Sequence, residues 1–171
     1  RFHLIAADHP LDVPGRYTRI TGAPSLPARW AFGPLIWRNE NKSQAEVLDD
    51  MAQIRKHDLA ISAMWLDRPF DSHVNNFGFD PKRFEDPDAM IAQVHALGMR
   101  MAMWSTPYVE PGATHHQQII DKGWHVGMPP LIKANVKWGG PLDLTHPEVQ
   151  TFWKGQIKKM TDRGIEGCGP G

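Results

Sequence analysis

The chain has 171 residues, enough for one hydrophobic core, and its nineteen basic and nineteen acidic residues cancel. No net field draws it to phosphate backbones or anionic lipid, so nucleic acid is not expected as a partner. A single cysteine, Cys168, excludes an internal disulfide and a paired-cysteine zinc framework, and no apolar run reaches the ~20 residues that span a bilayer, so no membrane partner is expected.

Fifteen prolines and fifteen glycines imply many loops rather than disorder, because tryptophans and aliphatic segments recur throughout. The compartment is left open by these features. Residues 1–26 differ in pattern from the rest of the chain. FHLIAA is a short strand candidate, and DHPLDVPGRYTRITGAP is punctuated by proline and glycine into a turn or a brief helix. We read this stretch as the end of a preceding domain and a linker.

From Pro27 onward short apolar runs alternate with helical patterns. WAFGPLIWR, residues 30–38, is the first strand candidate. In the next helix, Ser43 and Glu46 form a capping box and Val47, Met51 and Ile54 fall at helical spacing. LAISAMWLD is the second strand, ending at Asp67. After a long loop, Asp86 supplies an N-cap and Pro87 a first-turn proline for DAMIAQVHALG, which Gly98 closes. In MRMAMWSTPYV, the third strand, Arg100, Ala102 and Trp104 share one face and Met99, Met101 and Met103 the other. A long loop carries a short helix candidate over residues 115–122. Thr145 and Glu148 predict a capping box for the last helix, with Val149, Phe152, Trp153, Ile157 and Met160 on its buried side. GIEGC then opens a fourth strand.

Nearly continuous apolar strands separated by helices predict an α/β fold with a parallel sheet. A doubly wound sheet would place a glycine-rich turn after the first strand, where this chain has NENKSQ. The preferred reading is a partial (β/α)8 TIM barrel of about four strands over residues 27–171, preceded by the end of another domain and a linker over residues 1–26.

In such a barrel the active site lies at the carboxyl ends of the strands. That rule selects Trp37 and Arg38 after strand one, Asp67 and Arg68 after strand two, and Trp104 after strand three. Ile61, Ala63, Trp65 and Asp67 share a face, so if the first two fill the barrel, Asp67 rises into the cleft. The alternative is an aspartate that turns the chain with Arg68. Trp104 over an open mouth can stack on a pyranose ring, or can be a core aromatic. Trp37 and Trp138 carry weaker forms of the argument, and Arg38 pairs with a nearby acid or is solvated. No cofactor or metal pattern is found. His115 and His116 are adjacent, so they do not share a helix face, and nothing near Cys168 suggests an activated thiolate.

YTRITGAPSLPARWAFG, WLDRPFD, FDPKRFEDPDAMIAQVHALGMRM, MWSTPYV and LDLTHPEVQTFWKGQI, in this order and spacing, resemble glycoside hydrolase family 31, the family of α-glucosidases, α-xylosidases and related retaining enzymes. The resemblance runs over essentially the whole length; no one motif carries it, and the five together do. It implies an amino-terminal β-sandwich leading into a barrel, with Asp67 and Trp104 at sugar-binding positions and a carbohydrate as substrate.

Retaining glycosidases need two carboxyl groups about 5 to 5.5 Å apart. The resemblance implies aspartates at the ends of strands four and six, the first within a Gly-Ile-Asp-Gly, aromatic, Lys, any residue, Asp pattern. Here Cys168, Gly169, Pro170 and Gly171 come after Gly167, and Gly171 stands where the nucleophile is expected. With Arg1 in place of a Met, the expectation is a piece of a retaining α-glycosidase that carries sugar-binding residues and neither the nucleophile nor the acid/base. The alternative is a non-catalytic carbohydrate-binding or assembly module on a half-barrel. A third reading is an α/β interaction domain. Exposed half-barrel edges also predict self-association.

Overall fold

The computed structural model describes residues 2–127 and 139–169, so Trp138 and Gly171 lie outside the described residues. Four strands form one sheet: β1 (Leu35–Arg38), β2 (Ala63–Leu66), β3 (Arg100–Trp104) and β4 (Gly167–Gly169). Their spatial order is β1-β2-β3-β4, and all three pairings are parallel. Strand order that runs with chain order belongs to a barrel, since a doubly wound sheet reverses at its switch point.

The helices are α1 (Asp12–Thr21), α2 (Gln44–Lys56), α3 (Pro87–Ala96), α4 (His116–Asp121) and α5 (Pro147–Thr161). No helix among the described residues is long and apolar enough to cross a membrane. Local chemistry sets their ends. Ser43 Oγ accepts the Glu46 N–H at 3.3 Å, and Glu46 Oε2 accepts the Lys42 N–H at 2.7 Å, one residue before the cap. Asp86 Oδ1 accepts the Ala89 N–H at 3.0 Å with Pro87 in the first turn. Gly98, at φ 74°, turns the chain after α3 into β3.

Three sequence expectations are corrected. FHLIAA forms no strand: residues 2–7 carry no regular secondary structure and lack a ladder partner among the described residues, while DVPGRYTRIT folds as α1 with no residue buried. The first apolar run divides, because Gly33 and Pro34 separate a 3-10 turn (Arg29–Phe32) from β1 and proline offers no N–H to a ladder. The Thr145 capping box does not form. Pro147 holds His146 extended and opens α5 itself, while Asp143 Oδ1 accepts the Thr145 N–H at 3.0 Å and the Thr145 hydroxyl at 2.6 Å.

The main core lies between one face of the sheet and three helices. Met64 and Leu66 of β2 and Met101 and Met103 of β3 pack with Val47, Met51 and Ile54 of α2, Met90, Ile91 and Val94 of α3, and Met160 of α5. Burying each such side chain contributes about 1.5–3 kcal/mol. A smaller core of Val109, Ile119, Trp124, Leu142 and Val149 seats α4 against α5.

At the carboxyl ends of the strands, two loops are clasped together. Asn75, buried and at φ 56°, donates from Nδ2 to the Tyr108 carbonyl at 2.6 Å, and its Oδ1 accepts the Thr106 N–H at 3.3 Å. Glu110 Oε2 accepts the Val74 N–H at 2.8 Å, and Asn76 Oδ1 accepts the Thr114 N–H at 2.8 Å. The loop after β2 is thereby fixed to the loop after β3, which holds the rim still.

Candidate functional site

The register sets the site. Trp37 pairs with Trp65 and Trp65 with Ala102, so these side chains lie in one row on the sheet face turned away from the main core. Leu66 pairs with Met103, so the next residues up, Asp67 and Trp104, stand level with each other on that same inner face, with Gly169 paired to Trp104. A Cβ on Gly167 would lie 3.0 Å from the Ala102 Cβ, so glycine lets the inner face close up there.

Asp67 is held from two sides. Trp37 Nε1–H donates to its Oδ2 at 2.5 Å across 30 residues of chain, and the Arg68 N–H donates to its Oδ1 at 2.7 Å. Asn41, fully buried, accepts the Asp67 N–H through Oδ1 at 3.2 Å. A carboxylate has about four acceptor sites. Each oxygen therefore keeps capacity for a further donor such as a hydroxyl, while its orientation is fixed by bonds already made.

The two rim tryptophans differ. Trp37 is 58% exposed, whereas Trp104 is 9% exposed and lies beneath Arg68, whose Cζ is 5.7 Å from the ring centroid. The broader open aromatic surface is thus Trp37, the reverse of the emphasis drawn from sequence. Arg38 stands at the same end of the sheet but on the opposite face. Its NH1 contacts Glu46 Oε1 at 2.5 Å and its NH2 contacts Asp50 Oδ1 at 2.8 Å, so it ties β1 to α2. Trp138 lies outside the described residues.

Three rim residues are not among those the sequence selects, Asn41, Asp71 and Asn75, and Arg68, which is, takes a place over Trp104 that the sequence does not indicate. Asp71 is 2% exposed, and burial pushes its carboxyl up to about 6, with the Arg68 guanidinium pulling it down. For Asp71 the signal in the sequence is the cluster of charged and proline residues in WLDRPFD, which includes neither Asn41 nor Asn75. Cys168, on the helix-facing side of β4, has its thiol pushed up to about 11 by burial, which keeps it protonated at neutral pH. None of the rim residues lines the separate groove bounded by Lys122, Trp124, Glu148 and Phe152.

A parallel sheet numbered in chain order agrees with what the family model finds. The model for the glycosyl hydrolases family 31 TIM-barrel domain matches residues 24–168. The chain belongs to glycosyl hydrolase family 31. It is 27% identical over 169 residues to the uncharacterized family 31 glucosidase ORF2 of Pseudescherichia vulneris, covering 96% of this chain and 32% of that protein. It is 28% identical over 176 residues to alpha-glucosidase 2 of Bacillus thermoamyloliquefaciens, covering 97% of this chain and 22% of that protein. The crystal structure of a GH31 alpha-xylosidase from a soil metagenome, complexed with xylose, shares the fold with TM-score 0.82 at 23% identity, over 95% of this chain and 25% of that one. This family 31 chain therefore spans about a third or less of these relatives, and its sheet is part of their (β/α)8 barrel.

Proposed function

We propose that this chain is the sugar-holding part of a retaining α-glycosidase acting on α-glucosides or α-xylosides. The observation that carries the reading is the Trp37–Asp67 hydrogen bond at 2.5 Å, which aims a carboxylate over the inner face of the sheet at the strand ends where barrel chemistry occurs. Asp67 accepts sugar hydroxyls, and the exposed Trp37 ring, with the edge of Trp104, packs against the apolar face of the pyranose. Names borne by the relatives, α-glucosidase and α-xylosidase, support the substrate class.

The carboxylate pair for bond cleavage is supplied from elsewhere than these 171 residues, in this reading. Cys168 and Gly169 stand in β4 where the family resemblance places an aromatic and a lysine. Residues 27–171 then form the barrel segment and residues 1–26 the exit from a β-sandwich, a division favoured by α1 having no buried residue. Edges of β1 and β4 without a second neighbour among the described residues support self-association of the 171-residue chain, and a monodisperse monomer in ultracentrifugation is the contrary result.

The test is calorimetric titration of the chain with methyl α-xyloside and methyl α-glucoside, beside an assay on p-nitrophenyl α-glycosides. Sugar binding without turnover is expected, weakened about tenfold or more in Asp67→Ala at unchanged melting temperature. No binding of either sugar, or equal binding by Asp67→Ala, overturns the cleft assignment. Turnover overturns the assignment of the carboxylate pair to residues outside the chain.

A further inference from the structure

Asp71 lies four residues past Asp67, in the loop after β2, with its side chain 1% exposed. A carboxyl group in such a place costs stability unless something nearby repays the lost hydration. Arg68 Nε stands 4.0 Å from Asp71 Oδ1, and the same guanidinium has its Cζ 5.7 Å from the centre of the Trp104 ring. One cation thus spans from a buried acid to the aromatic residue that closes β3. Both contacts fall at the distances where charge attraction and cation–π attraction act.

We propose that Asp71 is a positioning residue of the cleft: its carboxylate holds the Arg68 guanidinium against the Trp104 ring and so fixes that indole at the rim. Several other charged groups of these loops have bonds of their own. Arg83 pairs with Asp80 through Nε at 3.0 Å and donates from NH2 to the Asp71 backbone carbonyl at 3.0 Å. Asp67 receives Trp37 and the Arg68 N–H, and Glu110 receives the Val74 N–H. Protonating Asp71 therefore acts on Arg68 first. The attraction is lost, the guanidinium gains freedom over the indole, and the surroundings of Trp104 change with it.

Burial raises the Asp71 carboxyl to about 6, while Arg68 and the backbone N–H groups of Asn75 and Asn76 pull it down, so the change falls in an accessible pH range. The inference rests on the sugar-cleft reading for its functional meaning, but the coupling itself is measured without sugar.

The experiment tracks two NMR signals of the free 171-residue chain from about pH 4.5 to about 7.5: the Trp104 indole N–H, assigned by its loss in Trp104→Phe, and the 13C carboxyl of Asp71. Both are expected to titrate with a common midpoint near 6, and the indole transition is expected to vanish in Asp71→Asn. Arg68→Met keeps an apolar stem and removes the cation, so it serves even where Asp71→Asn does not fold. In it the Asp71 midpoint moves upward and the indole no longer responds. An indole signal that stays flat while Asp71 titrates overturns the proposal, as does a transition that persists in Asp71→Asn or Arg68→Met. Coupling without sugar binding would retain this inference and sink the sugar-cleft reading, and binding without coupling would do the reverse.

Discussion

The two faces of one sheet are built on different terms. Toward the helices, Met64, Met101 and Met103 are each at most 1% exposed and touch apolar side chains from α2, α3 and α5. On the inner face of the same strands, Trp37, Trp65, Ala102 and Gly167 form a row in which Trp37 stays largely open, and polar Asp67 sits at its upper end. Flexible methionines fill irregular space between strand and helix, where the requirement is volume. Rigid indoles and a doubly bonded aspartate occupy the other side, where the requirement is geometry. One face holds the fold together, and the other carries Trp37 and Asp67 at the rim, the groups proposed to meet a sugar.

The largest expected effect tests the helix-facing side. Met101→Ala removes a fully buried side chain from the middle of β3 and should cost about 2–5 kcal/mol in chemical denaturation, with sugar affinity per folded molecule unchanged. Trp37→Ala should cost under about 1 kcal/mol and lose affinity instead. Equal stability losses in the two variants would erase the contrast.

Next comes the pH dependence contributed by Asp71, whose folded value of about 6 exceeds the ordinary 3.8. Between those values the folded state holds more protons than the unfolded state. Stability from this group is therefore full below 3.8, falls as pH rises, and reaches its whole loss of about 3 kcal/mol above 6. Asp80, Asp88 and Asp143, whose carboxyls are held low by hydrogen bonds, act with the opposite sign at more acid pH. Urea midpoints compared between about pH 5 and about 7 should thus fall further in the parent chain than in Asp71→Asn, where His115, whose imidazole burial holds low, favours the higher pH.

A smaller effect belongs to the inner face. Asp67→Asn keeps the shape and an oxygen for the Trp37 N–H but removes the charge, and should weaken methyl α-glycoside binding about tenfold in calorimetry. The smallest is Arg38→Gln. Its exposed ion pairs with Glu46 and Asp50 are worth at most about 1 kcal/mol, and sugar affinity should not move. A drop in affinity there would bring Arg38 into the cleft.

Much of this was written into local sequence. Alternation placed Arg100, Ala102 and Trp104 opposite the methionines, and the phase of AMWLD put Asp67 on the inner side, because a strand's side chains have a period of two whatever its neighbours are, whereas Ile61, ahead of β2, packs with the main core instead of sharing that face. Ser43 and Asp86 marked their helix starts because a cap's partner lies three residues away. FHLIAA and Thr145 misled for the complementary reason. A strand needs a neighbour that local pattern cannot supply, and Pro147 displaced the cap that Thr145 offered.

What the sequence by itself determined was therefore the order of strands and helices, the face on which each side chain falls, and the rim to which Asp67 and Trp104 belong. Tertiary structure alone decided that Trp37 bonds Asp67, that Arg68 bridges Asp71 and Trp104, and that Asn75 locks the two rim loops. Periodicity is a property of a few consecutive peptide units, whereas these contacts join residues up to 36 positions apart or lie in an irregular loop, where no repeat fixes direction. Their distances, and the burial that lifts the Asp71 carboxyl, arise only when the strands come into register.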